Sequence, residues 1–179
     1  MDAVVSLLDE KHYKLVEDLW TDLERRFGMR GIYVTPFPHF SYQVAERYDV
    51  DRLAGALKRF AARTRPFTVR TGGLGLFTGS FPVLYVPVVR TPPLSEVQDQ
   101  LWTEVSPTAA GISPYYAGEQ WQPHITLAHG DLDPERLGAA TRYLAERDFH
   151  WEVLIANVAL IHDTGEEQLP KHRYEFGGV

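Results

Sequence analysis

The chain contains one short phrase twice, and this repeat constrains its fold more than any other feature of the sequence. The copies occupy residues 38–42 and 123–127, and each reads proline, histidine, an apolar residue, a hydroxyl residue and a second apolar residue. Successive side chains of a β-strand point to opposite faces. Each histidine therefore shares a face with the hydroxyl residue two positions later. The opposite face of each strand is apolar and is expected to pack into a core.

The residues around the first copy predict a fixed order of elements. Residues 3–8 form a short apolar run that is typical of a buried strand. Residues 15–27 carry leucine or phenylalanine at every fourth position, which predicts an amphipathic helix that ends at Gly28. After the histidine strand, we expect Asp51 to cap a second helix. Residues 67–77 are expected to be extended, with a bulge or turn at their glycines.

The second half of the chain repeats this order. Residues 83–89 predict a strand, and a helix is expected to follow from the paired prolines at 92 and 93. The second histidine phrase comes after an irregular stretch over residues 106–122, and Asp133 is expected to cap the next helix. The terminal strands are predicted at residues 149–153, 156–161 and 171–176.

Each half thus reads strand, helix, histidine strand, helix, strand, and the two histidines lie 85 positions apart in a chain of 179 residues. We interpret this order as an internal duplication. The predicted fold is α+β, a single domain over residues 1–179 in which two lobes, roughly 1–80 and 81–179, are related by a pseudo-twofold axis. Each lobe is expected to be an antiparallel sheet with helices outside, and the histidine strands are expected to face a cleft between the lobes.

Composition narrows the classes of function. The chain has no cysteine, which excludes disulfides, thiolate metal sites and cysteine nucleophiles. Its formal net charge of −6 argues against extended nucleic-acid binding and favours a small substrate or the end of an oligonucleotide. No apolar run approaches the roughly 20 residues that span a bilayer, and the N-terminus lacks the pattern of a signal peptide. We therefore expect a monomeric cytoplasmic protein with no membrane partner.

The repeated phrase has a structural interpretation and a functional one. A single histidine on a strand is more often structural, and duplication could have copied a strand edge whose hydroxyls cap nearby turns. Two histidines and two hydroxyls on the inner faces of both lobes would, however, leave four polar groups in a cleft with no structural task. The pattern therefore favours a site for proton transfer and hydrogen bonding.

The two phrases resemble the paired His-x-Thr/Ser-x motifs of the 2H phosphoesterase superfamily, which includes bacterial 2′-5′ RNA ligase-like proteins and cyclic phosphodiesterases. The match is close at residues 122–128, and the first phrase departs from it mildly because Ser41 stands in place of threonine. The resemblance covers nearly the whole chain, since the duplicated order of elements matches the two-lobed α+β fold of that superfamily.

The resemblance implies a phosphodiesterase that needs neither a metal ion nor another cofactor. His39 and His124 would be its acid and base, and Ser41 and Thr126 would bind the non-bridging phosphate oxygens. The implied substrate is a nucleotide or RNA end that carries a 2′,3′-cyclic phosphate or a 2′-5′ phosphodiester. Attack by a ribose 5′-hydroxyl in place of water would join RNA ends without ATP. The near symmetry of the motifs leaves open which histidine is the base.

Other residues are weaker candidates. Tyr115 and Trp121 precede the second motif and could stack on a base, although loop aromatics more often cover the edge of a core. Lys171 and Arg173 could contact phosphate, but a solvated edge strand is the simpler interpretation.

Two other functions remain open at this point. A non-catalytic module that binds nucleotide or RNA-end phosphates would have the same fold. A metal-dependent hydrolase would use the scattered histidines and carboxylates, although His124 and His129, five residues apart on a predicted strand, make a poor metal pair.

Overall fold

The computed structural model describes residues 1–163 and 168–178, which contain ten β-strands, four α-helices and four short 3-10 helices. In chain order the strands and α-helices are β1 (Asp2–Leu7), α1 (Glu10–Phe27), β2 (His39–Tyr48), α2 (Val50–Arg63), β3 (Phe67–Arg70), β4 (Gly75–Phe77), β5 (Val83–Pro87), α3 (Pro92–Val105), β6 (Ala109–Ile112), β7 (His124–His129), α4 (Pro134–Leu144), β8 (Glu152–Ile155), β9 (Asn157–Asp163) and β10 (Gln168–Glu175). None of the helices in these residues is long and apolar enough to cross a membrane.

The strands form two antiparallel sheets. The first has the order β10-β9-β1-β2-β6. The second consists of β4-β5-β7 and β3-β8, which are joined where Thr71 forms a bridge with Val88 and the Val89 N–H donates to the Arg70 carbonyl at 2.7 Å. Because β3 and β4 are thus two parts of one irregular strand, the order of the second sheet is β8-β3/β4-β5-β7.

Two helices cover each sheet, with α2 and α3 on the first and α1 and α4 on the second. The predicted apolar stripe of α1 is confirmed at Leu19 and Leu23, which are buried, whereas Leu15 lies at the solvent-exposed margin. The prediction that Asp51 caps α2 is wrong. Asp49 caps the helix by accepting a hydrogen bond from the Arg52 N–H, and Asp51 lies in the first turn.

The order of strands confirms the predicted pseudo-twofold arrangement. The series β10-β9-β1-β2 in the first sheet corresponds to β8-β3/β4-β5-β7 in the second, so that each histidine strand lies beside the first strand of its own half. The helices correspond in the same way, α1 with α3 and α2 with α4. Strand β6 has no counterpart and was not predicted, because the short run Ala109–Ile112 carries no clear strand pattern.

The sheets do not follow the predicted division of the chain near residue 80. Strands β3 and β4, from the first half, pair with the sheet that contains β5, and β9, from the second half, pairs with β1. The first helix of each half, α1 or α3, likewise packs on the sheet of the other half. Neither segment, 1–80 or 81–179, can therefore form a complete lobe by itself, because each sheet takes strands from both.

Candidate active site

The two histidines begin their strands at the same register. His39 pairs with Leu7, the last residue of β1, and His124 pairs with Pro87, the last residue of β5. An equivalent hydrogen bond lies one residue beyond each pair. The Leu8 N–H donates to the Pro38 carbonyl at 3.1 Å, and the Val88 N–H donates to the Pro123 carbonyl at 2.9 Å. The repeated phrase therefore forms the same local structure twice.

A backbone carbonyl two residues upstream orients each imidazole. Nδ1 of His39 bonds the carbonyl oxygen of Phe37, and Nδ1 of His124 bonds that of Gln122 at 2.7 Å. A carbonyl can only accept, so each Nδ1 carries the proton. Each Nε2 is then the nitrogen that can accept or deliver a proton. Within the described residues neither Nε2 has a hydrogen-bond partner.

A β-bulge follows each hydroxyl residue. Val5 pairs with Ser41 and Val4 with Gln43, so that one residue of β2 is skipped. On the other side, Tyr85 pairs with Thr126 and Leu84 with Ala128, and one residue of β7 is skipped at the equivalent point. Each bulge locally bends the strand just beyond the hydroxyl. The hydroxyls of Ser41 and Thr126 make no hydrogen bond in the described part of the chain.

The surroundings lower the pKa of both imidazoles. The pKa of His39 is lowered to about 4, chiefly by burial; the hydrogen bond to Phe37 opposes this shift, and a charge on His124 adds to it. Burial also lowers the pKa of His124, opposed by the hydrogen bond to Gln122. Because a charge on His124 lowers the pKa of His39, the pair resists taking up a second proton. One neutral and one protonated imidazole is the state that acid–base catalysis requires.

A cavity of about 660 Å³ opens beside His124. The edge of the Phe77 ring packs against the imidazole with ring centroids 4.9 Å apart, and the Tyr85 ring lies at 5.1 Å. The lining residues are uncharged apart from the histidine itself: Leu76, Phe77, Thr78, Val83, Tyr115, Tyr116, Gln120, Gln122 and His124. Such a cavity fits a flat, uncharged group that offers hydrogen-bonding edges.

The two aromatic residues that the sequence suggested for base stacking lie in different environments. Tyr115 lines the cavity, and 76% of its surface is exposed. Trp121 is 1% exposed and packs in the core, where its indole stacks on Tyr42 at 5.9 Å. The prediction that Trp121 contacts substrate is therefore wrong, because no face of its ring is open to a ligand.

The cationic candidates lie elsewhere. Lys171 is exposed on the edge strand β10, and Arg173 donates to Glu175 at 2.7 Å and lines a different cavity, near the start of α1. Neither residue lines the cavity beside His124.

Sequence reasoning missed Phe77 and Tyr85, which flank His124. Only the pairing of strands reveals that these residues lie near His124. Tyr85 of β5 lies opposite Thr126 of β7, and Phe77 of β4 lies opposite Val83 of β5. In residues 1–163 and 168–178, no three histidine or carboxylate side chains converge closely enough to hold a metal ion.

The sequence profile of the 2′-5′ RNA ligase superfamily matches residues 9–167. The chain belongs to this superfamily. The predicted resemblance to the 2H phosphoesterases is thereby confirmed. Among curated relatives, a protein of Bacillus cereus (strain B4264) named "Putative phosphoesterase" is 25% identical over 152 residues, which cover 83% of each chain.

Solved structures of similar fold span nearly the whole chain. The crystal structure of TT0787 from Thermus thermophilus matches with a TM-score of 0.66 and 18% identity, covering 99% of this chain and 98% of the other. LigT of Escherichia coli, crystallised with 3′-AMP, matches with a TM-score of 0.61 and 15% identity, covering 98% and 97%. At these identities the likeness establishes the shared fold, and the predicted α+β class is confirmed.

Proposed function

We propose that this protein is a metal-independent phosphodiesterase that opens 2′,3′-cyclic phosphates on nucleotides or RNA ends. The observation that carries the proposal is the pair of imidazoles on equivalent bulged strands, each fixed through Nδ1 with Nε2 available. Membership of the 2′-5′ RNA ligase superfamily and a relative named as a phosphoesterase support the same reaction class. LigT, of the same fold, was crystallised with a nucleotide, which supports a nucleotide-like substrate.

The differences between the two histidines suggest their roles. The cavity adjoins His124, so a nucleoside bound there would bring its ribose oxygens to that imidazole. Burial lowers the pKa of His39 to about 4, which keeps this imidazole neutral above that pH and able to accept a proton. We assign His39 as the base and His124 as the acid, a distinction that the near-symmetric motifs could not supply.

In the proposed reaction, His39 Nε2 takes a proton from water as the water oxygen bonds to phosphorus. The bond from phosphorus to one ribose oxygen breaks, and His124 Nε2 delivers its proton to that oxygen. Ser41 and Thr126 donate hydrogen bonds to the non-bridging oxygens, where negative charge must be held. The product is a phosphomonoester. A 2′-5′ phosphodiester would be cleaved by the same steps, and a ribose 5′-hydroxyl in place of water would give ligation.

The test is incubation with each of the four nucleoside 2′,3′-cyclic monophosphates and a short cyclic-phosphate RNA, all in EDTA. We expect turnover by the wild-type protein and by His150→Ala, which removes an exposed histidine that pairs with Asp148. The double variant His39→Ala/His124→Ala should be inactive. Turnover that disappears with EDTA would instead indicate a metal-dependent hydrolase. Binding of 3′-AMP without turnover of any substrate would indicate a non-catalytic phosphate-binding module.

A further inference from the structure

Two tryptophans donate hydrogen bonds to equivalent backbone carbonyls, one in each motif. Trp121 Nε1 donates to the carbonyl oxygen of Ser41 at 2.8 Å, and Trp20 Nε1 donates to that of Thr126 at 3.1 Å. Both indoles are buried, with exposed fractions of 1% and 3%. Each acceptor is therefore the carbonyl of the proposed phosphate-binding residue, immediately before the residue that the ladder skips.

Each of these carbonyls lies beside a bulge, where the register of the ladder shifts. A buried carbonyl without a partner costs free energy, and the indole N–H supplies a donor here. A buried indole N–H has the same need for a partner. Each hydrogen bond thus satisfies both the indole N–H and the carbonyl, and it fixes the orientation of the peptide group that follows Ser41 or Thr126. The direction of that peptide sets where the Cα–Cβ bond of the hydroxyl residue points.

Duplication does not account for the paired contacts. Trp20 lies on α1, whereas Trp121 lies in the segment that leads into β7. The two histidines lie 85 positions apart. A shift of the same length places Pro36 at the position equivalent to Trp121, and Val105 at the position equivalent to Trp20. The same contact is therefore reached from unrelated parts of the two halves. Trp121 also joins the motifs, because it lies three residues before His124 and binds the strand of His39.

We infer that Trp121 and Trp20 are positioning residues, each of which aims one motif hydroxyl at the substrate phosphate through the peptide that its indole holds. The inference rests on the proposed function for its catalytic consequence. Its structural part, that each indole fixes its own bulge, holds independently of the reaction.

The catalytic test is a pair of double-mutant cycles. Trp121→Phe removes the N–H and keeps an aromatic ring, and we expect kcat to fall about tenfold with little change in KM, as for the loss of one hydrogen bond. In the Ser41→Ala background the same change should have no further effect on kcat, whereas in the Thr126→Ala background it should keep its full effect. Trp20→Phe should show the reverse pattern. Equal effects in both backgrounds would overturn the inference.

Trp151→Phe is the matched control, because Trp151 Nε1 also donates to a backbone carbonyl, that of Asp148 at 3.1 Å, on no motif strand. We expect this variant to lose thermal stability without losing kcat. A fall in stability with unchanged kcat in Trp121→Phe would show that its role is structural only.

Hydrogen–deuterium exchange provides a readout that needs no substrate. Trp121→Phe should speed exchange of the amides at residues 39–43 and leave those at 124–128 unchanged, and Trp20→Phe should do the opposite. If the wild-type protein turns over none of the cyclic phosphates, the proposed function is wrong, and exchange alone decides the inference. Unchanged or uniformly faster exchange would overturn it.

Discussion

His39 and His124 occupy equivalent positions in the two sheets, yet their neighbours differ. His39 lies opposite Leu7 on a face that continues into a small buried cluster of Val5, Leu7, Ala159 and Ile161. His124 lies between the rings of Phe77 and Tyr85 and borders the cavity. Aliphatic side chains offer neither charge nor hydrogen bonds to an imidazolium, so burial acts strongly on the pKa of His39.

Single replacements at the motifs should separate proton transfer from phosphate binding. His39→Ala and His124→Ala are each expected to lower kcat by roughly 10²-fold or more, because each removes one of the two proposed proton-transfer groups. Ser41→Ala and Thr126→Ala should lower kcat less, since each removes one proposed hydrogen-bond donor to phosphate. Steady-state kinetics on the preferred cyclic nucleotide would measure these effects, with circular dichroism as the check on folding. A histidine variant that keeps the wild-type rate would contradict the assignment.

The lowered pKa values predict an acidic pH optimum. The proposed base, His39, is neutral above about pH 4, and the proposed acid, His124, is protonated only below a pKa that burial moves beneath its usual value of about 6.5. We therefore expect kcat/KM to rise through about pH 4 and to fall again before about pH 6.5. A pH–rate profile of the wild-type protein would show this. A plateau that extends above pH 7 would mean that the acid is another group.

Tyr115 lines the cavity beside His124 and is exposed, and it is the proposed stacking partner of a nucleobase. Tyr115→Ala is expected to raise KM about tenfold while kcat changes little, because base stacking contributes on the order of 1–3 kcal/mol to binding. The control is Phe81→Ala, which removes an even more exposed ring from the neighbouring β4–β5 turn, outside the cavity lining. Equal changes of KM in both variants would argue that no base lies on Tyr115.

At the scale of elements, the hairpin of β4 and β5 forms the wall of the cavity beside His124. Gly75 lies opposite Tyr85, and a Cβ placed on Gly75 would come within 2.2 Å of the Tyr85 ring. The Tyr85 ring itself packs at 4.3 Å from Phe77 and at 5.1 Å from His124. The missing side chain at Gly75 thus provides the space that keeps the Tyr85 ring against the imidazole.

Gly75→Ala is therefore expected to displace the Tyr85 ring and to lower kcat/KM, with a loss of stability of about 1–3 kcal/mol from overpacking. Gly138→Ala is the opposite case, since Gly138 lies inside α4 with open space around it. That variant should gain about 0.5–1 kcal/mol from the better helix propensity of alanine and leave kcat/KM unchanged. Urea denaturation and kinetics measure both. Wild-type kinetics in Gly75→Ala would show that the hairpin does not position Tyr85.

At the scale of the whole molecule, the two halves of the chain cannot separate. Each sheet takes strands from both halves, and a single large buried cluster joins the two sheets. We therefore expect one cooperative unfolding transition, to which groups of both motifs contribute.

The buried histidines should make this transition sensitive to acid. The pKa values of His39, His124 and His129 are all lowered by burial, so that the folded state binds fewer protons than the unfolded chain between pH 6.5 and about 4. The free energy of unfolding should therefore fall as the pH is lowered through this window, with His39 contributing on the order of 3 kcal/mol at most. Denaturation curves between pH 7.5 and 4 would measure the slope.

The variant His39→Asn/His124→Asn should flatten that slope because it removes two of the groups. Asp9→Asn serves as the control. The pKa of Asp9 is lowered even though burial, the largest effect on it, acts to raise it, because hydrogen bonds from His12 and Leu154 outweigh the burial. Its stabilising effect is therefore lost only below about pH 4, outside the window. An unchanged slope in the double histidine variant would contradict the pKa shifts.

The sequence by itself determined the features that depend on neighbouring residues. Strand alternation placed each histidine beside its hydroxyl, four-residue periodicity located α1, and the repeated order of elements indicated the duplicated fold. Only the tertiary structure decided which strands pair across the halves, that Trp121 is buried while Tyr115 is exposed, and that Phe77 and Tyr85 flank His124. The physical reason is that alternation and periodicity are set by local backbone geometry, whereas these contacts join residues far apart in the chain and depend on how the two sheets close together.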